Sequence, residues 1–112
     1  MKKPSSSALP QTVRDALRRL GRDLALARRK RRISTSDMAG RLFVSRDTLW
    51  RLERGDPSVS LGTFMTAAYV LQLLDRAAGI AAARDDRLGL DLDAERLPLR
   101  IRRRKRREDR AP

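Results

Sequence analysis

Apolar residues step by four and three along the first third of the chain: Val13, Leu17, Leu20, Leu24 and Ala27. That spacing returns to one face of a helix, and it predicts an amphipathic helix over residues 11–31. Gly21 interrupts the stripe at some cost without ending it. In "ISTSDMAGRLF", Ser34 or Thr35 can cap a short helix over 35–42, Asp37 suits its first turn, and Met38 and Leu42 form an apolar i,i+4 pair. Ser45 can cap a further helix that runs to about Arg54, with Gly55 and Pro57 as stop signals. "SVSLGTFMTAAYVLQLL" offers Ser60 as a cap and Leu61, Phe64, Met65, Ala68 and Leu71 as a stripe. A fifth, Ala-rich helix is expected over about 75–83. Beyond Arg84 no helical stripe appears, but Leu97, Leu99 and Ile101 alternate with Pro98 and Arg100, the pattern of a short edge strand. The pattern divides the chain into a disordered N-terminal tail (1–9), a helical domain (10–84), an extension carrying the strand (85–101) and a basic tail (102–112).

The stretch "FVSRDTLWRLERGDPS" raises a question of its own. At about 100° per residue, Leu49 and Leu52 fall on one side of the helix and Arg46, Asp47, Trp50 and Arg51 on the other. A polar outer face is ordinary, but a tryptophan among two arginines and an aspartate is not. The preceding short helix supplies the context. Small Ala39 suits a close helix crossing, and Val44 seals a brief turn. Two short helices joined in this way form a helix-turn-helix, whose second helix lies in the DNA major groove with its N-terminal residues at base edges.

Charge strengthens that reading. The 112 residues contain 27 Lys and Arg against 14 Asp and Glu, a formal net charge of +13, which points to a polyanionic partner. Every residue from Arg102 to Arg107 is basic, an electrostatic arm. No apolar run approaches the roughly 20 residues of a membrane span, and "MKKPSSSALP" has no apolar core of a secretory signal, so a cytoplasmic protein is expected. With no Cys and no His, thiol catalysis, His-based triads and His or Cys metal sites are excluded. The acidic pairs Asp85/Asp86 and Asp91/Asp93 stand beside no phosphate loop and in no expected rigid frame, so an enzyme is not expected. Neither a cofactor nor a metal is called for.

The stretch "ISTSDMAGRLFVSRDTLWRLERGDPSVSLGTF" resembles the Cro/phage-repressor (Xre) type of helix-turn-helix over roughly residues 19–74, and "VSRDTLWRLERG" is its most specific part. The continuation "GDPSVSLGTF" and the segment "DRLGLDLDAERLPLRIR" are similar to HipB-like antitoxins. The resemblance implies an all-α, five-helix, phage-repressor-like domain that binds palindromic double-stranded DNA as a homodimer. It further implies a transcriptional repressor, an antitoxin with a HipA-like kinase toxin as partner. By position it implies an internal ion pair between Arg28 and Glu53 that leaves Arg28 near a phosphate, and a phosphate contact for the Ser45 hydroxyl. Arg46, Asp47 and Arg51 match base-reading positions, Thr48 a neighbouring one and Arg54 a backbone-contacting one.

Arg46 and Arg51 can each donate two hydrogen bonds to guanine O6 and N7, whereas Asp47 can accept from a cytosine amino group or hold an arginine. Trp50 can rest on a thymine methyl or sugar, or serve as half-exposed packing. Two departures stand out. Thr35 occupies the place of a phosphate-clamping Gln and has less reach, and Phe43 occupies a turn position usually held by Gly, where φ tends to be positive. Two rival readings remain: a non-specific basic nucleic-acid-binding protein, and a protein-interaction module built on a helix-turn-helix fold.

Overall fold

The computed structural model describes residues 8–95, and every regular element within them is helical. In order these are α1 (Gln11–Lys30), α2 (Thr35–Leu42), α3 (Arg46–Glu53), α4 (Leu61–Val70) and α5 (Leu74–Ala78). A 3-10 turn, Ala83–Asp85, and a helix beginning at residue 87 and still running at 95 follow. Most of the expected tail (1–9), the expected strand with Leu97, Leu99 and Ile101, and the Arg102–Arg107 tract lie outside the described residues. The chain divides into two units, one ending at Ala77 and one starting at Ala78.

In the first unit α2, α3 and α4 begin by one repeated device, and α1 to α4 end by another. The hydroxyls of Ser34, Ser45 and Ser60 accept the backbone N–H three residues on, from Asp37, Thr48 and Thr63, at 3.0, 3.1 and 3.0 Å. Each satisfies a donor that the first helical turn would otherwise leave bare, worth about 1 kcal/mol. At the other end, a residue with positive φ reverses the chain after each of α1 to α4: Arg32, Phe43, Gly55 and Gln72. The next residue then donates back to the carbonyl five positions earlier: Ile33 to the Arg28 carbonyl, Val44 to Ala39, Asp56 to Arg51 and Leu73 to Ala68. This is the Schellman closure. After α1, α2 and α4 it also turns an apolar side chain, Ile33, Val44 or Leu73, against the core.

The core is small. Leu24 of α1, Met38, Ala39 and Leu42 of α2, Leu49 and Leu52 of α3, and Ala67 and Leu71 from α4 and its cap make one buried cluster. Met38, Leu49 and Leu71 are the largest side chains sealed completely, each contributing about 1.5–3 kcal/mol relative to exposure. α3 packs on both α1 and α2, and α2 packs on α4.

Several expectations need correction. The α1 stripe does not all face the core: Val13 and Leu20 are exposed and Leu17 is half-buried, whereas Gly21, Leu24, Ala25 and Arg28 are buried. Only the second half of α1 is covered by the bundle, so the first half keeps its apolar spacing without a full core to fill. In α4, Leu61 is 73% exposed, and the inward face is carried by Ala67, Ala68 and Leu71 with Phe64 half-buried. Leu61 is the first residue after the Ser60 cap, where the chain still enters from solvent. The fifth helix stops at Ala78, because Gly79 breaks the run that composition alone would carry further.

In the second unit, residues 87–95 are helical although no apolar stripe announces them. Asp86 starts this helix: its carboxylate accepts from Gly89 N–H at 3.0 Å and its carbonyl accepts from Leu90 N–H at 2.8 Å. Leu88, Leu90 and Leu92 are exposed, so local capping rather than burial marks this helix.

Phe43 presents an imbalance. Its φ of 57° and ψ of 40° lie in the left-handed region, which costs an L-residue about 1–2 kcal/mol, yet its side chain is 92% exposed. The ring therefore recovers almost nothing from packing among the described residues. Phe43→Gly should raise the denaturant midpoint, by about 1 kcal/mol of stability. A lower midpoint would show that the ring makes a stabilising contact.

Candidate nucleic-acid interface

α3 is short, and it is held on two sides. Leu49 and Leu52 anchor its inner face in the core. Its C-terminal end is fixed to α1 by a nearly buried ion pair. Arg28 is 7% exposed and presents Nε to Glu53 Oε2 at 2.7 Å and Nη2 to Oε1 at 3.2 Å. Its remaining nitrogen, Nη1, donates to the Ile33 carbonyl at 2.9 Å. The guanidinium thus links the end of α3 to the closure of α1, a planar fork that Lys could not replace. These contacts commit one N–H on each nitrogen of the guanidinium to the protein interior.

Two glycines let the helices come this close. A Cβ on Gly21 would stand 2.6 Å from the Glu53 carbonyl oxygen and 2.7 Å from Gly55 N. A Cβ on Gly55, whose φ is +79°, would run into the Leu17 carbonyl. The obstacle is backbone in both cases, so neither site can yield by rotating a side chain. The apparent flaw in the α1 stripe is the contact point that seats α3.

The outer face of α3 is open. Arg46, Asp47, Trp50 and Arg54 are exposed, while Thr48 and Arg51 are half-buried. Arg51 lies between several acceptors: Nε is 3.6 Å from Asp47 Oδ2, Nη2 is 3.5 Å from Thr48 Oγ1 and Nη1 is 3.4 Å from Ser58 Oγ. All are long contacts that orient the guanidinium without consuming it. Arg54 stacks over the Trp50 ring at 4.2 Å from the centroid, a cation–π contact that gives the exposed indole, 55% accessible, a fixed neighbour. Ser45 Oγ donates to Thr48 Oγ1 at 3.1 Å while it caps the helix. Thr35 is exposed at the first position of α2, on a different element from the α3 residues.

Past α3, Asp56 organises the loop. Its Oδ1 accepts from Ser58 N at 2.8 Å and Ser58 Oγ at 2.7 Å. The Ser58 backbone bond, then the hydroxyl bond, hold the carboxyl below its ordinary pKa against a small opposing effect of burial, with Arg51 and Arg54 adding to the lowering.

Two residues outside the sequence expectation reach the same surface. Arg14 and Arg18, from the first half of α1, border a cleft with Trp50, Arg51 and Arg54. On α1 the expectation placed only Arg28 near a phosphate. The available signal was Gly21, since a glycine inside a helix often marks close backbone approach.

The α2–turn–α3 arrangement, with its core-anchored second helix and outward polar face, defines a helix-turn-helix protein. Residues 19–88 match the family described as a helix-turn-helix domain, and the chain belongs to that family. No curated protein and no solved structure matches the chain. Family membership suggests DNA as the partner. Among the described residues, no helix is long and apolar enough to cross a membrane.

The glycine contact has an opposite sign from helix propensity. Alanine favours a helix interior over glycine by about 1 kcal/mol, yet Gly21→Ala should lower stability, because the methyl group meets the α3 backbone. Thermal melting of the two proteins checks this, and a higher melting temperature for the variant would refute the close approach.

Proposed function

We propose that the protein is a sequence-specific DNA-binding transcriptional repressor of the Xre type, acting as a homodimer on a palindromic operator. The observation that carries this reading is the exposed face of α3, where arginine, aspartate and tryptophan project from a helix locked to its scaffold. Rigid presentation is what base reading requires, since hydrogen bonds to base edges discriminate only when donors are held in place. In this reading Arg46, Asp47 and Arg51 read bases, with Thr48 and Trp50 beside them. Ser45, Thr35 and Arg54 contact the backbone, and Arg28 acts mainly by holding α3. An antitoxin role beside a HipA-like kinase rests on the likeness of "GDPSVSLGTF" and "DRLGLDLDAERLPLRIR", and copurification with the product of an adjacent kinase-like gene tests it.

The net charge of +13 favours a second reading, binding to any duplex by charge alone. Selection from a random duplex pool, followed by competition, separates the two. A specific reader should prefer its selected site over random duplex by at least about 10³-fold. Arg51→Ala should cost about 1–3 kcal/mol on that site and relax preference at one base pair per half-site. Unchanged preference in Arg51→Ala would remove α3 from the reading role, and the absence of any selected site would leave only charge-driven binding.

A further inference from the structure

The cleft between the first half of α1 and the end of α3 has a volume of about 310 Å³. Its walls are Arg14 and Arg18 on one side and Trp50, Arg51 and Arg54 on the other. Resting on the DNA-binding reading above, we infer that this cleft holds a phosphodiester group of the bound duplex and clamps the strand beside the groove that α3 enters.

Charge carries the first part of the argument. Four arginines border the cleft, whereas its acidic residue, Asp56, already accepts two hydrogen bonds from Ser58. Arg18 has an acidic neighbour, Asp15, but at 3.5 Å and with both side chains more than half exposed, a pair of little strength. The Nε atoms of Arg14 and Arg51 are shielded from solvent and make no hydrogen bond among the described residues, Arg51 Nε having only the Asp47 carboxylate at 3.6 Å. A phosphate brings several anionic oxygens to such a group of guanidiniums, which match them with paired donors.

Position carries the second part. Arg51 and Trp50 belong both to the cleft and to the exposed face of α3, so an occupant of the cleft sits at the edge of that face. A continuous nucleic-acid strand satisfies both at once, which a detached small anion does not. The cleft also depends on a segment that the family match does not cover. That match begins at residue 19, and Arg14, Leu17 and Arg18 precede it. The early turns of α1 therefore add a backbone contact to the helix-turn-helix unit, and the approach of Gly55 to the Leu17 backbone sets its distance from α3.

The test uses the full chain and a duplex that the wild-type protein selects from a random pool. Arg14→Gln/Arg18→Gln should weaken binding to the selected and random duplexes by the same factor. The slope of log K against log salt should become shallower by about one unit for each arginine engaged. Circular dichroism and melting should match wild type, and Arg14→Lys/Arg18→Lys should keep most of the salt slope. Replacing single phosphates with neutral methylphosphonates should reveal one whose loss weakens the wild type but not the Gln variant. Unchanged affinity and slope, or identical methylphosphonate profiles, would overturn the inference. So would a free nucleoside monophosphate that binds through Arg14 and Arg18 while duplex binding ignores them. Failure of the broader reading looks different: the wild type selects no sequence and Arg51→Ala changes nothing.

Discussion

A guanidinium removed from water must find acceptors for all its sides, and Arg28 finds them in only two places. Glu53 takes two of its donors and the Ile33 carbonyl takes a third. That arrangement leaves the end of α3 with one seat on α1. An eight-residue helix has little stability of its own, because nucleation costs more than so few hydrogen bonds return. α3 is consequently as rigid as its attachments: Leu49 and Leu52 below, the Ser45 cap in front, and the Arg28–Glu53 pair with the Gly21 and Gly55 contacts behind. Removing either charge would strand the other in a poorly solvated place, which typically costs about 3–5 kcal/mol.

The same attachments decide what the surface presents. With the inner face committed to the core, the residues between must face outward, so Arg46, Asp47, Trp50 and Arg54 are exposed as a consequence of packing. Arg51 is steered by Asp47, Thr48 and Ser58 without being fully paired, and Arg54 covers the indole. Because α1 crosses so closely, its early arginines reach this surface as well. The wider excess of positive charge draws in any polyanion at long range, and the short-range arrangement on α3 is what could distinguish one sequence from another.

Much of this was legible in the chain because its signals are local. Helix boundaries follow from Ser34, Ser45 and Ser60, each three residues ahead of a donor it satisfies, and from Gly55 at a forced positive φ. The outward position of Trp50 follows from the spacing of Leu49 and Leu52. What could not be read depends on partners distant in sequence. Whether Val13 or Leu20 is buried depends on how far the bundle extends along α1, which periodicity does not encode. Gly21 read as a weakness, since its reason lies more than thirty residues away in the α3 backbone. Arg32 and Gln72 give no local hint of positive φ, whereas at Phe43 it was expected from the glycine that the resemblance places in that turn. The helix over 87–95 escaped notice because it has a cap but no buried face.

The claim that the Arg28–Glu53 pair seats the reading helix is tested most directly by a double-mutant cycle: Arg28→Ala, Glu53→Ala and both together, each followed by denaturant unfolding and by binding to the selected duplex. The account predicts that each single change is strongly destabilising and that the pair together costs less than the sum, with a coupling of about 1–3 kcal/mol. Each folded variant should also lose preference for the selected duplex, although neither side chain belongs to the face that reads it. Additive stability losses within about 0.5 kcal/mol, with sequence preference intact in every variant, would contradict it.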